Sequence, residues 1–269
     1  MAESVKVAYA APECMIDQTM HYCPGCTHGI AARLVAETID ELGIRDRAIG
    51  ISPVGCSVYL YDYIDCDFAQ AAHGRAPAVA TGLSRALPDC VVFTYQGDGD
   101  LASIGTAEIV HAASRNERMT VVFINNAVFG MTQGQSAPTT LLGQRTSTSP
   151  RGRQAKGEGY PLRVSEMLAT LEGPTYVARA ALGAPKYVTQ AKRFMRRAFE
   201  AQVIHGGFGM LELLSSCPTY WGMTPAEAMR WLEEGMMAYY PVGEFVDRRD
   251  RETSGSVREG GEGLRVSDR

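Results

Sequence analysis

No stretch of this 269-residue sequence is apolar for long enough to span a bilayer. Its start, Met1-Ala2-Glu3-Ser4-Val5-Lys6, has neither the basic opening nor the apolar run of a secretory signal, so the expectation is a cytoplasmic protein. Positive charge is not in excess. Against 30 Asp and Glu stand 26 Lys and Arg, a net charge of −4, which argues against a nucleic-acid-binding face. No internal repeat is visible, and the Cys-x-x-Cys at 23–26 has no second pair to complete the usual zinc arrangement. Cysteine itself is not scarce. Seven thiols are many for such a chain, a reducing compartment disfavours disulfides, and an odd count fits full pairing poorly. Numerous unpaired thiols are candidate metal ligands.

The apolar patterning alternates helix and strand. Residues 27–42 read as a helix that Thr27 can cap and Gly43 ends, 48–52 as a short strand, and 77–87 as a small-residue helix with Pro in its first turn. Residues 90–95 and 119–124 are buried-strand runs with a helix, 104–116, between them, which implies parallel pairing and a right-handed crossover. Helices at 164–171, 187–203 and 224–240 alternate with strands at 175–179 and 208–214. This predicts an α/β fold, an open, doubly wound, mostly parallel sheet that fills residues 1–246 as one domain. Residues 1–20 read as irregular. Residues 247–269 are charged and rich in Gly and Ser, a tail that is flexible or ordered only on a partner. The run 137–160 is too long for a passive connection and reads as a functional loop or a disordered one.

The sharpest feature is Gly97-Asp98-Gly99-Asp100 directly after one strand and Asn125-Asn126 directly after the next, with Asp98 and Asn126 separated by 28 positions. Both motifs fall at carboxyl ends of parallel strands, where open α/β sheets bind ligands. The glycines allow close backbone approach, and a helix starting after Gly99 turns its free N–H groups and positive dipole end to the same place. Asp98 and Asn126 supply the hard oxygen donors that Mg²⁺ takes together with phosphate. On physical grounds this is a diphosphate–Mg²⁺ site; either motif alone would be turn chemistry.

Among the cysteines, Cys23-Pro24-Gly25-Cys26 sets two thiols on one tight turn, Cys56 follows Gly55, and Cys217 lies just past the strand at 208–214. Four thiolates can build a 4Fe–4S cage, but their spacing serves a zinc site equally well. A thioredoxin-like pair is weaker, because no apolar strand precedes Cys23.

Taken together, His21-Tyr22-Cys23-Pro24-Gly25-Cys26-Thr27-His28-Gly29, Pro53-Val54-Gly55-Cys56-Ser57, His73-Gly74-Arg75-Ala76-Pro77, the Gly97–Asp100 motif, Asn125 through Gln135 and Ser136-Ala137-Pro138-Thr139-Thr140 resemble the β subunit of the 2-oxo acid:ferredoxin oxidoreductases. The resemblance runs from about Met20 to Tyr240. It implies thiamine diphosphate with Mg²⁺ on Asp98, Asn126 and the Val128 carbonyl. It also implies cofactor contacts from Ser57, His73, Gly97, Gly99, Asp100, Gly130, Met131 and Thr132. A 4Fe–4S cluster would sit on Cys23, Cys26, Cys56 and Cys217. His73 and Arg75 would stand at the catalytic mouth, where a cation can hold a carboxylate; as bare residues they read equally well as a capping His and a solvated Arg. Cys14, Cys66 and Cys90 match no ligand position and read as small core or surface residues, His28 as a helix-face residue, and His111 and His205 as structural or exposed. The implied reaction is oxidative decarboxylation of a 2-oxo acid to its acyl-coenzyme A ester. Its electrons would pass to ferredoxin, in a hetero-oligomer whose α subunit carries the glutamate that activates the cofactor. The 73–77 and 137–143 segments look most like the 3-methyl-2-oxobutanoate and 2-oxoglutarate enzymes. The competing readings are a non-redox thiamine decarboxylase subunit and a zinc-stabilised binding module.

Overall fold

Runs of β-branched, aromatic and small apolar residues dominate the inner strands among β1 (Ala48–Ser52), β2 (Asp67–Gln70), β3 (Val91–Gly97), β4 (Thr120–Asn125), β5 (Tyr176–Ala181), β6 (Gly209–Leu214) and β7 (Gly243–Asp247), while β2 and β7 are more polar. In the computed structural model, which describes residues 10–250, they make one sheet in the order β2-β1-β3-β4-β6-β5-β7. All neighbours are parallel except β7, which runs antiparallel to β5. Every residue of β4, β5 and β6 is buried, as parallel strands covered on both faces require.

Helices cover the two faces. On one side α1 (His28–Leu42) and α6 (Pro185–Val203) pack Ala31, Leu34, Val35, Phe194 and Phe199 against Phe93, Tyr95 and Val122 of the sheet. On the other, α2 (Ala76–Ala86), α3 (Thr106–Ser114) and α5 (Val164–Ala169) set Ala80, Ile109 and Leu168 against Val92, Val121 and Val177. A single irregular turn, α4 (Ala155–Glu158), lies in the loop before α5, and α7 (Pro218–Trp221), α8 (Pro225–Trp231) and α9 (Met237–Tyr239) close the chain before β7. The α/β doubly wound architecture read from the sequence is therefore present.

Several local readings change. Strands β2 and β7 were not foreseen: both are short edge strands without a clean alternation of apolar residues. The helix expected at 104–116 is entered through a π turn, Asp100–Ile104, and the one expected at 224–240 is interrupted by another, Leu232–Met236. Thr27 does not cap α1 with its side chain; its hydroxyl bonds Ser215 instead. The sheet also takes in Asp247, the first residue of the expected tail. Arg248 beyond it donates to the carbonyls of Leu171, Glu172 and Pro174. Residues 251–269 of that tail, and 1–9 at the other end, lie outside the described residues. No helix among the described residues is long and apolar enough to cross a membrane.

Candidate cofactor and metal site

The carboxyl ends of β3 and β4 open into a cleft. Its walls hold Ser57, His73, Gly97, Asp98, Gly99, Asp100, Asn126, Val128, Gly130, Met131 and Thr132, the whole set that the sequence resemblance names for the cofactor, together with His28 and Cys56. Gly99 leaves room for Phe129: a Cβ there would stand 2.3 Å from the ring and force it to move. Asp98 is buried at the floor. One of its oxygens accepts from Gly99 N–H (2.8 Å), the other from the Thr139 hydroxyl (2.6 Å) and Val128 N–H (3.2 Å). It forms no ion pair among the described residues. Burial pushes its pKa up to about 7 in spite of these hydrogen bonds. A carboxylate this buried, ringed only by neutral donors and beside the Asn126 amide, fits a divalent cation, which restores the charge balance that burial disturbs.

Asp100 lines the cleft and also holds its neighbours in place. Its carboxylate accepts from His73 Nδ1 (2.6 Å), Gly74 N–H (2.8 Å) and Gln96 Nε2 (2.6 Å), so its hydrogen-bonding capacity is directed at the chain itself. The result is a His73 ring fixed through Nδ1, with Nε2 left to the cleft that the ring lines. Arg75 does not share the cleft. Its guanidinium is ion-paired with Glu108 on α3 and reaches the Ile104 carbonyl, which draws the side chain away along the helix.

The 137–160 loop is ordered by Arg153, which is 7% exposed. Its guanidinium donates to the carbonyls of Ala137, Pro138, Thr140, Glu158, Gly159 and Tyr160. The loop thereby sets Thr139 on Asp98. Bonds to a charged group contribute about 1.5–3 kcal/mol each, so Arg153→Met should open this loop before the sheet. Amide exchange of 137–160 is expected to accelerate by at least about tenfold, the equivalent of one such bond. Unchanged exchange there would mean the loop is held by something other than Arg153.

The four thiols converge from three places. The Cys23–Cys26 turn is closed by Cys26 N–H on the Cys23 carbonyl (2.9 Å) and has Gly25 at φ +78, where a Cβ would collide with Pro225 at 2.6 Å. The Thr27 hydroxyl fastens this turn to the end of β6: it bonds the Ser215 hydroxyl (2.7 Å) and accepts from Ser216 N–H (3.1 Å), while Ser216 Oγ donates to the Gly25 carbonyl (2.7 Å). That knot brings Cys217 beside the turn. Cys23, Cys26, Cys56 and Cys217 line one cavity with Tyr22, His28 and Tyr59. Burial raises the pKa of Cys26 to about 11 and of Cys217 to about 12. Among the described residues no group of three or more His, Cys, Asp and Glu side chains is arranged to hold a single metal ion. The remaining thiols are apart from this cavity. Cys14 is buried in the core with Sγ on the Ala36 carbonyl (3.3 Å), and Cys66 bonds the Asp67 carbonyl.

The family described as "Thiamine pyrophosphate enzyme, C-terminal TPP binding domain" matches residues 53–212, which span the cleft motifs. The 2-oxoglutarate synthase subunit KorB of Archaeoglobus fulgidus is 37% identical over 79% of this chain and 75% of its own length. The chain belongs to the 2-oxo acid oxidoreductase family of thiamine pyrophosphate enzymes. The ketoisovalerate oxidoreductase subunit VorA of Methanothermobacter thermautotrophicus is 51% identical over 85% of the chain but only 48% of its own length, so the chain spans about half of that relative. A solved 2-oxoglutarate:ferredoxin oxidoreductase from Magnetococcus marinus, with 2-oxoglutarate, coenzyme A and succinyl-CoA bound, superposes with a TM-score of 0.72. It is 28% identical, and the match covers 90% of this chain and 87% of that one.

Three residues of the site carry no signal that was read from the sequence. Thr139 lies 41 positions from the Asp98 it contacts, and no local pattern links them. His28, read as a helix-face residue, lines both the cleft and the thiol cavity. It is stacked on Tyr22 and bonded through Nδ1 to Tyr95 OH (2.8 Å), and burial lowers its pKa to about 4. Glu212 is fully buried beneath Asn125. Its signal was available: a lone acid in the apolar strand Gly-Met-Leu-Glu-Leu-Leu, matched by Arg179 in the neighbouring Tyr-Val-Ala-Arg-Ala-Ala.

Proposed function

We propose that this chain is the thiamine-diphosphate- and iron–sulfur-binding subunit of a 2-oxo acid:ferredoxin oxidoreductase. The observation that carries this reading is that the diphosphate cleft and the thiol cavity share a wall, made of His28, Cys56, Asn126 and Gly130. A Cβ on Gly130 would stand 3.4 Å from Cys56 Sγ, 3.7 Å from Cys217 Sγ and 3.8 Å from Asn126 Nδ2. One glycine therefore parts cluster ligands from cation ligand, which suits a reaction in which electrons leave the carbon centre for a metal cluster.

Thiamine diphosphate, when bound, supplies the decarboxylation chemistry. The chain holds it: Asp98, the Asn126 side chain and the Val128 carbonyl bind Mg²⁺, and Gly130, Met131 and Thr132 border the diphosphate. Cys23, Cys26, Cys56 and Cys217 hold the 4Fe–4S cluster, a donor set of the type such clusters use. His73, oriented by Asp100, accepts or donates a proton at Nε2. Both carboxylates of the cleft are engaged, Asp98 at the cation and Asp100 at His73, and the glutamate that activates the cofactor comes from an α subunit. The acyl acceptor is coenzyme A and the electron acceptor ferredoxin. The names of the relatives point to 3-methyl-2-oxobutanoate or 2-oxoglutarate as substrate.

Anaerobic purification with the partner subunit, followed by iron, sulfide, zinc and thiamine quantitation, tests this. About four irons, matching sulfide and one thiamine diphosphate per chain are expected. Thiamine without iron would establish a plain decarboxylase subunit instead, and zinc alone a binding module.

A further inference from the structure

The cation ligands Asn126 and Val128 flank Ala127, whose φ of +57 is left-handed, a conformation disfavoured for any residue with a Cβ. Such strain persists only where the surroundings over-determine it. Here three hydrogen bonds do so. Asn125 Oδ1 accepts from Ala127 N–H (3.2 Å), and the Ala127 carbonyl accepts from the Thr140 hydroxyl (2.7 Å) and Gln144 Nε2 (3.1 Å).

Asn125 is itself oriented from below. Its Nδ2 donates to Glu212 Oε1 (2.7 Å). A carboxylate only accepts, so the amide nitrogen must face Glu212 and the amide oxygen must face Ala127. Glu212 is held in turn: its second oxygen accepts from Ser165 Oγ (2.5 Å) and lies 2.8 Å from Arg179 Nε, an ion pair whose angle falls short of a hydrogen bond. Arg179 is clamped by both oxygens of Glu166 (2.9 and 2.5 Å) and by the Pro241 carbonyl. Neither Arg179 nor Glu212 touches the cleft. A buried ion pair of this kind is weak support for stability, because packed apolar side chains serve as well.

We propose that Asn125, oriented by the Glu212–Arg179 pair, is a positioning residue for the cation turn. It holds Ala127 left-handed, so that the Asn126 side chain and the Val128 carbonyl meet the cation bound by Asp98. This rests on the cofactor reading above and deepens it.

The test uses the full chain, purified anaerobically with its partner, and Mn²⁺ as the probe, its binding followed by electron paramagnetic resonance in the presence of thiamine diphosphate. Asn125→Ala is expected to weaken Mn²⁺ binding by about tenfold or more with iron content unchanged. Adding Ala127→Gly should recover most of the loss, because glycine takes the left-handed conformation freely. If Asn125→Ala does not fold, Thr140→Val removes another bond to the same turn and should show the same loss and the same recovery. Wild-type affinity in both Asn125→Ala and Thr140→Val overturns the proposal. So does a loss that Ala127→Gly fails to recover, which would mark a general structural role. A wild-type protein that binds no Mn²⁺ would sink the cofactor reading itself, and it does so before any substitution is made.

Discussion

Asp98→Asn is expected to abolish Mg²⁺-dependent thiamine diphosphate binding while making the metal-free chain more stable at neutral and alkaline pH than the wild type. The binding loss follows from ligand chemistry. Mg²⁺ needs an anionic oxygen, and even changes beyond the ligand shell cost metal sites about 10–100-fold, so the loss should exceed that range. The stability gain follows from burial. The Asp98 pKa is raised from 3.8 to about 7 in the folded chain, so folding favours the protonated acid. Its contribution is therefore fully present below the unfolded pKa and is lost as pH rises through about 7. At about 1.36 kcal/mol per pH unit, the difference is on the order of 4 kcal/mol, an upper bound because the amide cannot reproduce all the hydrogen bonds. Denaturant unfolding in a chelator, with the two proteins compared from pH 5 to 8, measures it. The variant's advantage should grow across that window, and adding Mg²⁺ with thiamine diphosphate should reverse the order. A difference that stays flat with pH would show that the Asp98 charge is compensated in some other way.

Cys217→Ala should empty the cluster site. Of the four proposed ligands Cys217 is the farthest in sequence from the others, and the Thr27–Ser215–Ser216 knot brings it to them. Losing a ligand outright should exceed the 10–100-fold effect of altering its supports, so iron and sulfide should fall to a small fraction of the wild-type content. Viologen reduction driven by a 2-oxo acid should fall with them. Cys90→Ala, outside the thiol cavity, is the matched control and should retain full iron. Equal iron in the two variants would remove Cys217 from the ligand set. A Cys217→Ala protein that keeps rapid viologen reduction would mean that electrons leave by a route other than this cavity.

The parts of the fold legible in the sequence were those that residue type and local order decide. The central strands are apolar runs, and Gly97-Asp98-Gly99 and Asn125-Asn126 sit at strand ends, so both motifs announced the same end of the sheet. Edge strands β2 and β7 carried little pattern because their faces are poorly covered, with no buried residue in β2 and only Val246 in β7. Side-chain direction was the other gap. Arg75 follows His73 by two residues, yet Glu108, distant in sequence, decides where its guanidinium goes. Asp100 follows Asp98 by two, and Gln96, His73 and Gly74 claim its carboxylate. The order imposed on 137–160 was likewise invisible, because it comes from one arginine gathering six carbonyls across the loop.

Gly130 and its neighbours in the shared wall make the two sites a single inheritance. The thiol cavity is therefore not a module detachable from the cleft. His28, Cys56 and Asn126 line both chambers. A side chain grown at position 130 would reach into the space beside Cys56 and Cys217, so that one position borders the contents of both chambers.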